Sequence, residues 1–145
     1  MSVNMSGSRA ALKVYSDGGA RGNPGPAATA FMILSQSGDL LKASSRLIGV
    51  RTNNQAEYEA LIDALESAAD FTSSFVVSYL DSELVCKQLM GAYSVKNPEL
   101  RSLWQRVQEL KKCFAKISFE NVPRTEEHIK KVDKLVNEAL DARLK

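Results

Sequence analysis

The sequence predicts an α/β domain, a mixed sheet with helices packed on it in the order βββαβααβα. Three observations carry that expectation. Five short runs alternate or are rich in β-branched and aromatic residues, as strands require. Four longer runs repeat their apolar residues at helical spacing. The composition, 44% hydrophobic and 25% charged over 145 residues, is that of one ordinary globular domain with its own core.

Each element follows in order. Residues 1–10 are small and polar and read as a flexible tail, without the apolar run of a secretory signal. Residues 11–17 alternate, with Leu12 and Val14 on one face and Lys13 and Tyr15 on the other, and predict a first strand. The following Gly18-Gly19-Ala20-Arg21-Gly22-Asn23-Pro24-Gly25-Pro26 reads as a loop. Residues 27–34 and 40–48 predict two more strands, joined by hairpin chemistry at Ser37-Gly38-Asp39. A helix is expected over 52–69, with Asn53 or Asn54 as N-cap. Residues 75–80 predict a fourth strand, and 82–90 a short helix ended by Gly91. A long amphipathic helix spans 98–114, with Leu100, Leu103, Trp104, Val107, Leu110 and Phe114 at helical spacing. Residues 117–122 predict a fifth strand closed by Pro123. The last helix, 126–142, carries Ile129, Val132, Leu135, Val136, Ala139 and Leu140 on one stripe. Residues 11–145 are thus expected to form one domain.

Charge and cysteine content narrow the function classes. No run approaches the ~18 apolar residues of a membrane span, so no membrane partner is expected. The net charge of +2 averages an N-terminal half with 6 basic and 7 acidic residues and a C-terminal half with 13 and 10, split after Asp70. A polyanion would therefore lie more readily against the second half. Cys86 and Cys113 both fall inside helical patterns and read as buried or half-buried free thiols, which fits a reducing, cytoplasmic setting. One histidine and no CxxC leave no Cys/His zinc site.

Four carboxylates stand out. Asp17 ends the first strand and Asp81 the fourth. If these strands are parallel neighbours, both acids emerge at the same carboxyl edge of the sheet, where open α/β sheets place ligands. Either alone also fits a cap or turn residue. Glu57 falls in the middle of the apolar face set by Ala56, Ala60, Leu61, Ala64, Leu65 and Ala68. An unpaired carboxylate facing a core costs several kcal/mol or shifts its pKa. It is therefore paired, metal-bound or close enough to the helix end to reach water. Asp133 lies at the edge of the last helix's stripe, where a solvated flank acid is the plainer reading. Converging carboxylates repel one another unless a cation neutralises them, and hard oxygen ligands select Mg²⁺ or Mn²⁺. Several carboxylates with no histidine base point to two-metal chemistry.

With these residues in view, the chain resembles a type 1 ribonuclease H over roughly residues 11–142. The carrying segments are Tyr15-Ser16-Asp17-Gly18-Gly19 with Gly22-Asn23-Pro24-Gly25, then Thr52-Asn53-Asn54-Gln55-Ala56-Glu57, then Asp81-Ser82, and finally Val122-Pro123-Arg124 with Asp133-Lys134-Leu135-Val136-Asn137. The resemblance implies a five-stranded ribonuclease H-like mixed sheet, three strands antiparallel and two further parallel, with helices on both faces. It implies that Asp17, Glu57, Asp81 and Asp133 are the catalytic, metal-binding carboxylates. It implies hydrolysis of the RNA strand of an RNA–DNA hybrid, leaving 5′-phosphate and 3′-hydroxyl ends. Asn23, Asn53 and Asn54 match family positions that contact the hybrid, and amides suit a ribose 2′-hydroxyl because they both donate and accept. Gly18 and Gly19 permit close backbone approach, Thr52 matches a position on a DNA phosphate, and Arg124 is a candidate phosphate contact.

The sequence also departs from the family pattern. The basic protrusion of many bacterial members is absent, since Gly91 to Asn97 connects the two middle helices with only Lys96 basic. Grip would then come from elsewhere, with Lys87, Lys96, Arg101 and Arg106 as candidates that read equally as solvated helix faces. The histidine-bearing loop before the last carboxylate is shortened, and His128 reads as structural rather than proton-shuttling. Ile129 stands where relatives often have Asn. Four functions are thus weighed: a hybrid-cutting enzyme acting as a monomer, an enzyme that also cuts double-stranded RNA, a non-catalytic hybrid-binding module, and a DNA-cutting integrase or resolvase of the same fold, in which the 2′-hydroxyl-reading asparagines would have no role. Retention of all four carboxylates favours an enzyme.

Overall fold

The structure, a computed structural model, describes residues 11–143, so the expected tail at 1–10 lies outside the described residues. In chain order the elements are β1 (Leu12–Ala20), β2 (Gly25–Leu34), β3 (Leu40–Arg51), α1 (Asn53–Ala68), β4 (Phe75–Leu80), α2 (Glu83–Leu89), α3 (Pro98–Lys111), β5 (Lys116–Asn121) and α4 (Glu127–Ala142). The five strands form one sheet in the order β3-β2-β1-β4-β5. β1 is the pivot: it runs antiparallel to β2 and parallel to β4, and β4 runs parallel to β5. The anticipated element order and mixed sheet are both present.

Two apolar layers hold the helices to the sheet. On one face Val14, Phe31, Ile33, Val76 and Leu80 pack against Leu61 and Leu65 of α1 and Val107 and Leu110 of α3. On the other, α4 alone covers the sheet, setting Ile129, Val132, Val136 and Leu140 against Tyr15, Ala28, Ala30 and Met32. Side-chain alternation along β1 explains the division, because Val14 faces α1 while Tyr15 faces α4.

Four differences from the sequence expectation have local causes. The glycine-rich stretch after Asp17 is not all loop. Gly18, Gly19 and Ala20 continue β1 because each pairs with β2, opposite Thr29, Ala28 and Ala27. Only residues 21–24 turn the chain, closed by the Arg21 N–H donating to the Pro26 carbonyl at 2.8 Å. The N-cap of α1 is Thr52 rather than Asn53 or Asn54. Its hydroxyl accepts from the Gln55 N–H, and the Gln55 side chain accepts from the Thr52 N–H, a capping box. α3 ends at Lys111 in a tightened turn, with Cys113 and Phe114 bonding three residues back to Leu110 and Lys111. Cys113 is therefore outside the helix and exposed, whereas Cys86 is buried as expected. Finally, β3 runs on to Arg51, past residue 48, since its pairing with β2 continues to Gly25.

Candidate active site

Tyr15 and Tyr79 are register partners on the parallel strands β1 and β4. Two residues further along stand Asp17, in β1, and Asp81, immediately after β4, so alternation brings both acids to one face at one carboxyl edge. Ser82 follows Asp81 at once and caps α2 by accepting from the Val85 N–H at 3.2 Å, which fixes the turn that presents Asp81. Glu57 arrives from α1. A Cβ on Gly18 would collide with the Ala56 carbonyl, so only glycine lets the first turns of α1 lie directly on β1. There the Gly18 N–H donates to Glu57 Oε1 at 2.8 Å. Ligand atoms of Asp17, Glu57 and Asp81 all lie within 4.8 Å of one another.

Such crowding has an electrostatic cost. Burial, then the neighbouring Glu57, and more weakly Asp81 and Asp133, push the Asp17 carboxyl up to about 10. Burial also lifts Glu57 to about 7, against the lowering effect of its hydrogen bonds to Asp17 and Gly18. Asp81 is raised by burial as well, opposed by Arg124, whose Nε lies 3.6 Å from its Oδ2. Three oxygen-only ligands held this close fit a hard divalent cation, which offsets the repulsion that the protein alone does not.

Asp133 lies outside this trio but lines the same cleft of about 480 Å³, with Gly18, Gly19, Arg21, Asn53, Asn54 and Arg124 also in its walls. Of the remaining expected substrate residues, Asn23 does not line the cleft but is hydrogen-bonded to Asn53, which does. Asn53 Oδ1 accepts from the Ala20 N–H and Asn23 Oδ1 accepts from the Asn53 N–H, both at 2.9 Å. Together they bind the β1–β2 turn to the start of α1. Thr52 is occupied by its cap and does not line the cleft. Among the other bases, Arg106 is committed to Glu66 at 2.7 Å, Arg101 donates to the Val95 carbonyl, and Lys87 lies over the Tyr93 ring. None of them borders the carboxylates, nor does Lys96. His128 stacks on Tyr15 with centroids 4.5 Å apart and meets Glu126 at 3.2 Å, a packed position beneath the site. Arg21, Ser82 and Asn137 also line the cleft and were not singled out from sequence. For Asn137 the signal was present: it lies four residues after Asp133, one helical turn away.

The chain resembles proteins already known. Residues 15–139 match the family model described as reverse transcriptase-like. Ribonuclease HI of Halobacterium salinarum is 46% identical over 130 residues, covering 90% of this chain and 64% of the relative. Its crystal structure superposes with a TM-score of 0.86 over 90% of this chain and 98% of that one. The N-terminal ribonuclease H domain of a bifunctional Mycobacterium tuberculosis protein is 36% identical at TM-score 0.86, covering 92% of this chain and 95% of that one. This chain spans only 35% of that whole bifunctional protein. LC11 ribonuclease H1, isolated from compost and solved in complex with RNA/DNA hybrid, is 41% identical at TM-score 0.86 over 92% of this chain and 99% of that one. Sheet order, acidic trio and these relatives agree, and the chain belongs to the ribonuclease H family.

Proposed function

We propose that the protein is a metal-dependent endoribonuclease that hydrolyses the RNA strand of RNA–DNA hybrids, leaving 5′-phosphate and 3′-hydroxyl ends. The observation that carries this reading is the trio Asp17, Glu57 and Asp81 within 4.8 Å, facing Asp133 across one open cleft. We assign all four as ligands of two Mg²⁺ or Mn²⁺ ions. The chemistry supplied by the bound ions is activation of water and stabilisation of the leaving oxygen. The chain's own residues do the rest. Gly18 and Gly19 line the cleft beside Asp17, but the space a side chain would take at Gly18 is filled by the start of α1, so only their backbones face a sugar–phosphate chain. Asn53 and Asn54 stand at the rim where a 2′-hydroxyl needs both a donor and an acceptor. Arg124, 81% exposed in its side chain, is free to swing from Asp81 to a phosphate. Thr52 lies outside the cleft with its hydroxyl oxygen engaged in the cap, and its hydroxyl hydrogen and the N-terminus of α1 suit a phosphate of the DNA strand there.

A wider range that includes double-stranded RNA is the second reading. It is favoured by the short connection between α2 and α3, in which Lys96 is the only base. Grip then depends on groups that read 2′-hydroxyls, which both duplexes carry. We further propose that the protein acts as a monomer in the cytoplasm, where Cys86 and Cys113 remain free thiols. Cleavage of labelled hybrid, double-stranded RNA and DNA of one sequence, with Mg²⁺ and with Mn²⁺, tests the function. Hybrid cutting is expected to vanish in Asp17→Asn while hybrid binding persists. Retained cutting by that variant would sink the assignment.

A further inference from the structure

The four carboxylates are not held alike. Glu57 accepts a backbone N–H at 2.8 Å, and Asp17 is fixed by its strand. Asp133 rides on the flank of α4, and among the described residues its carboxylate accepts from one group, the side-chain amide of Asn137. Asn137 Nδ2 lies 3.0 Å from the Asp133 carbonyl and 3.4 Å from Asp133 Oδ2. The other end of that amide faces Arg21, whose Nη2 is 3.4 Å from Asn137 Oδ1 and also from the Asn137 carbonyl. The same Nη2 lies 2.7 Å from Asp141 Oδ1. Arg21 sits in the β1–β2 turn, 116 residues from Asn137 in sequence.

A guanidinium donates and never accepts, so the end of the amide that meets Arg21 must be its oxygen. The nitrogen then necessarily points at Asp133. Without Arg21 the amide keeps only its two Asp133 acceptors, and the contact on its oxygen that favours this orientation is lost. Asp141 holds the guanidinium in place for this task. We propose that Asn137 is a positioning residue that presents the Asp133 carboxylate to the cation site, and that Arg21 sets the orientation of the Asn137 amide. The proposal rests on the ribonuclease H reading only in taking Asp133 as a metal ligand.

The test is calorimetric titration of Mn²⁺ into the full, metal-free chain with no nucleic acid present, so that any phosphate contact by Arg21 plays no part. Asn137→Ala keeps α4 intact, since alanine is a strong helix former. It is expected to weaken Mn²⁺ binding about tenfold, in the range seen when partners of metal ligands are removed. Arg21→Ala is expected to weaken it severalfold, and the double variant to match Asn137→Ala alone, because the two act in series. In hybrid cleavage the Mn²⁺ requirement of Asn137→Ala should rise by the same factor, with the rate at saturating metal little changed. A merely structural Asn137 would move the melting temperature and leave the metal requirement where it is. Unchanged Mn²⁺ binding by Asn137→Ala, beside weakened binding by Asp133→Asn, would overturn the proposal and leave the function standing. Unchanged binding by Asp133→Asn itself would overturn the proposal and the ligand assignment of Asp133 together. Additive losses in the double variant would remove Arg21 from the relay.

Discussion

The two banks of the cleft are built on different principles. On one, Asp17, Glu57 and Asp81 issue from the central strands and the first turns of α1, and backbone contacts set their spacing. On the other, Asp133 stands on α4, a single helix resting on Ala28, Ala30 and Met32 of β2 and Tyr15 of β1, and a side-chain amide sets its direction. The first bank is preorganised by the same pairing that makes the fold. The second is adjustable without unfolding anything. Damage to the first should therefore remove structure and site together, whereas damage to the second should separate them.

The harshest test of the first bank is Gly18→Ala. The added Cβ runs into one peptide unit of α1, the Ala56 carbonyl and the Glu57 nitrogen, which cannot yield as a flexible side chain would. We expect a loss of about 4 kcal/mol or more, read by denaturant unfolding, with cleavage lost as well. A variant as stable as wild type would show that α1 does not sit on β1 as described. For the second bank, Ile129→Ala truncates a side chain on the buried face of α4, 1% exposed. It should cost about 3 kcal/mol, yet leave the trio's cation site intact, so that Mg²⁺ still raises the melting temperature.

A gentler comparison uses pH. Without metal, burial and mutual repulsion hold Asp17 up to about 10 and Glu57 up to about 7. Their folded forms keep protons that the unfolded chain releases near pH 4. The stability this proton retention provides is fully present below pH 4 and is lost as pH rises, through about 7 for Glu57 and onward for Asp17. In EDTA the melting temperature should thus fall from pH 5 to 8, and Asp17→Asn should flatten that fall and raise the value at pH 7. Parallel curves for the two proteins would argue against the clustering. Smallest of all, Thr52→Ala removes the hydroxyl of the capping box and should cost about 1 kcal/mol. It frays the end of α1 that carries Glu57, so cleavage should decline more than the melting temperature suggests.

Much of this was legible in the sequence, and the remainder was not for identifiable reasons. Apolar periodicity gave the order of elements, and Glu57 announced itself by falling on an apolar face. The glycines after Asp17 misled because their propensity argues for a loop, while eight register pairs with β2, Lys13 to Ala20, hold them in a strand. Cys113 was misplaced because the apolar spacing of a helix continues past Lys111, where the hydrogen bonds tighten to three residues back. The roles of Arg21 and Asn137 depend on a contact across most of the chain, and no local pattern reports such a contact. That Thr52, Asn53 and Asn54 share one segment was visible. Their division of labour was not, because it depends on which of them the Gln55 N–H selects as its acceptor.

The outer strand has a consequence for how the protein behaves at high concentration. β3 is an edge of twelve residues, with Leu40, Leu41, Leu47 and Val50 all more than two-fifths exposed. A long, partly apolar edge is a template on which a second chain can add a strand. Lys42 and Arg46 interrupt it, but the charge of Arg46 is paired with Asp63 through two hydrogen bonds at 2.8 and 2.9 Å. Lys42, lying over the Phe31 ring, is left as the principal gatekeeper against self-association. Resistance to strand addition at this edge is thus expected to weaken as salt screens Lys42.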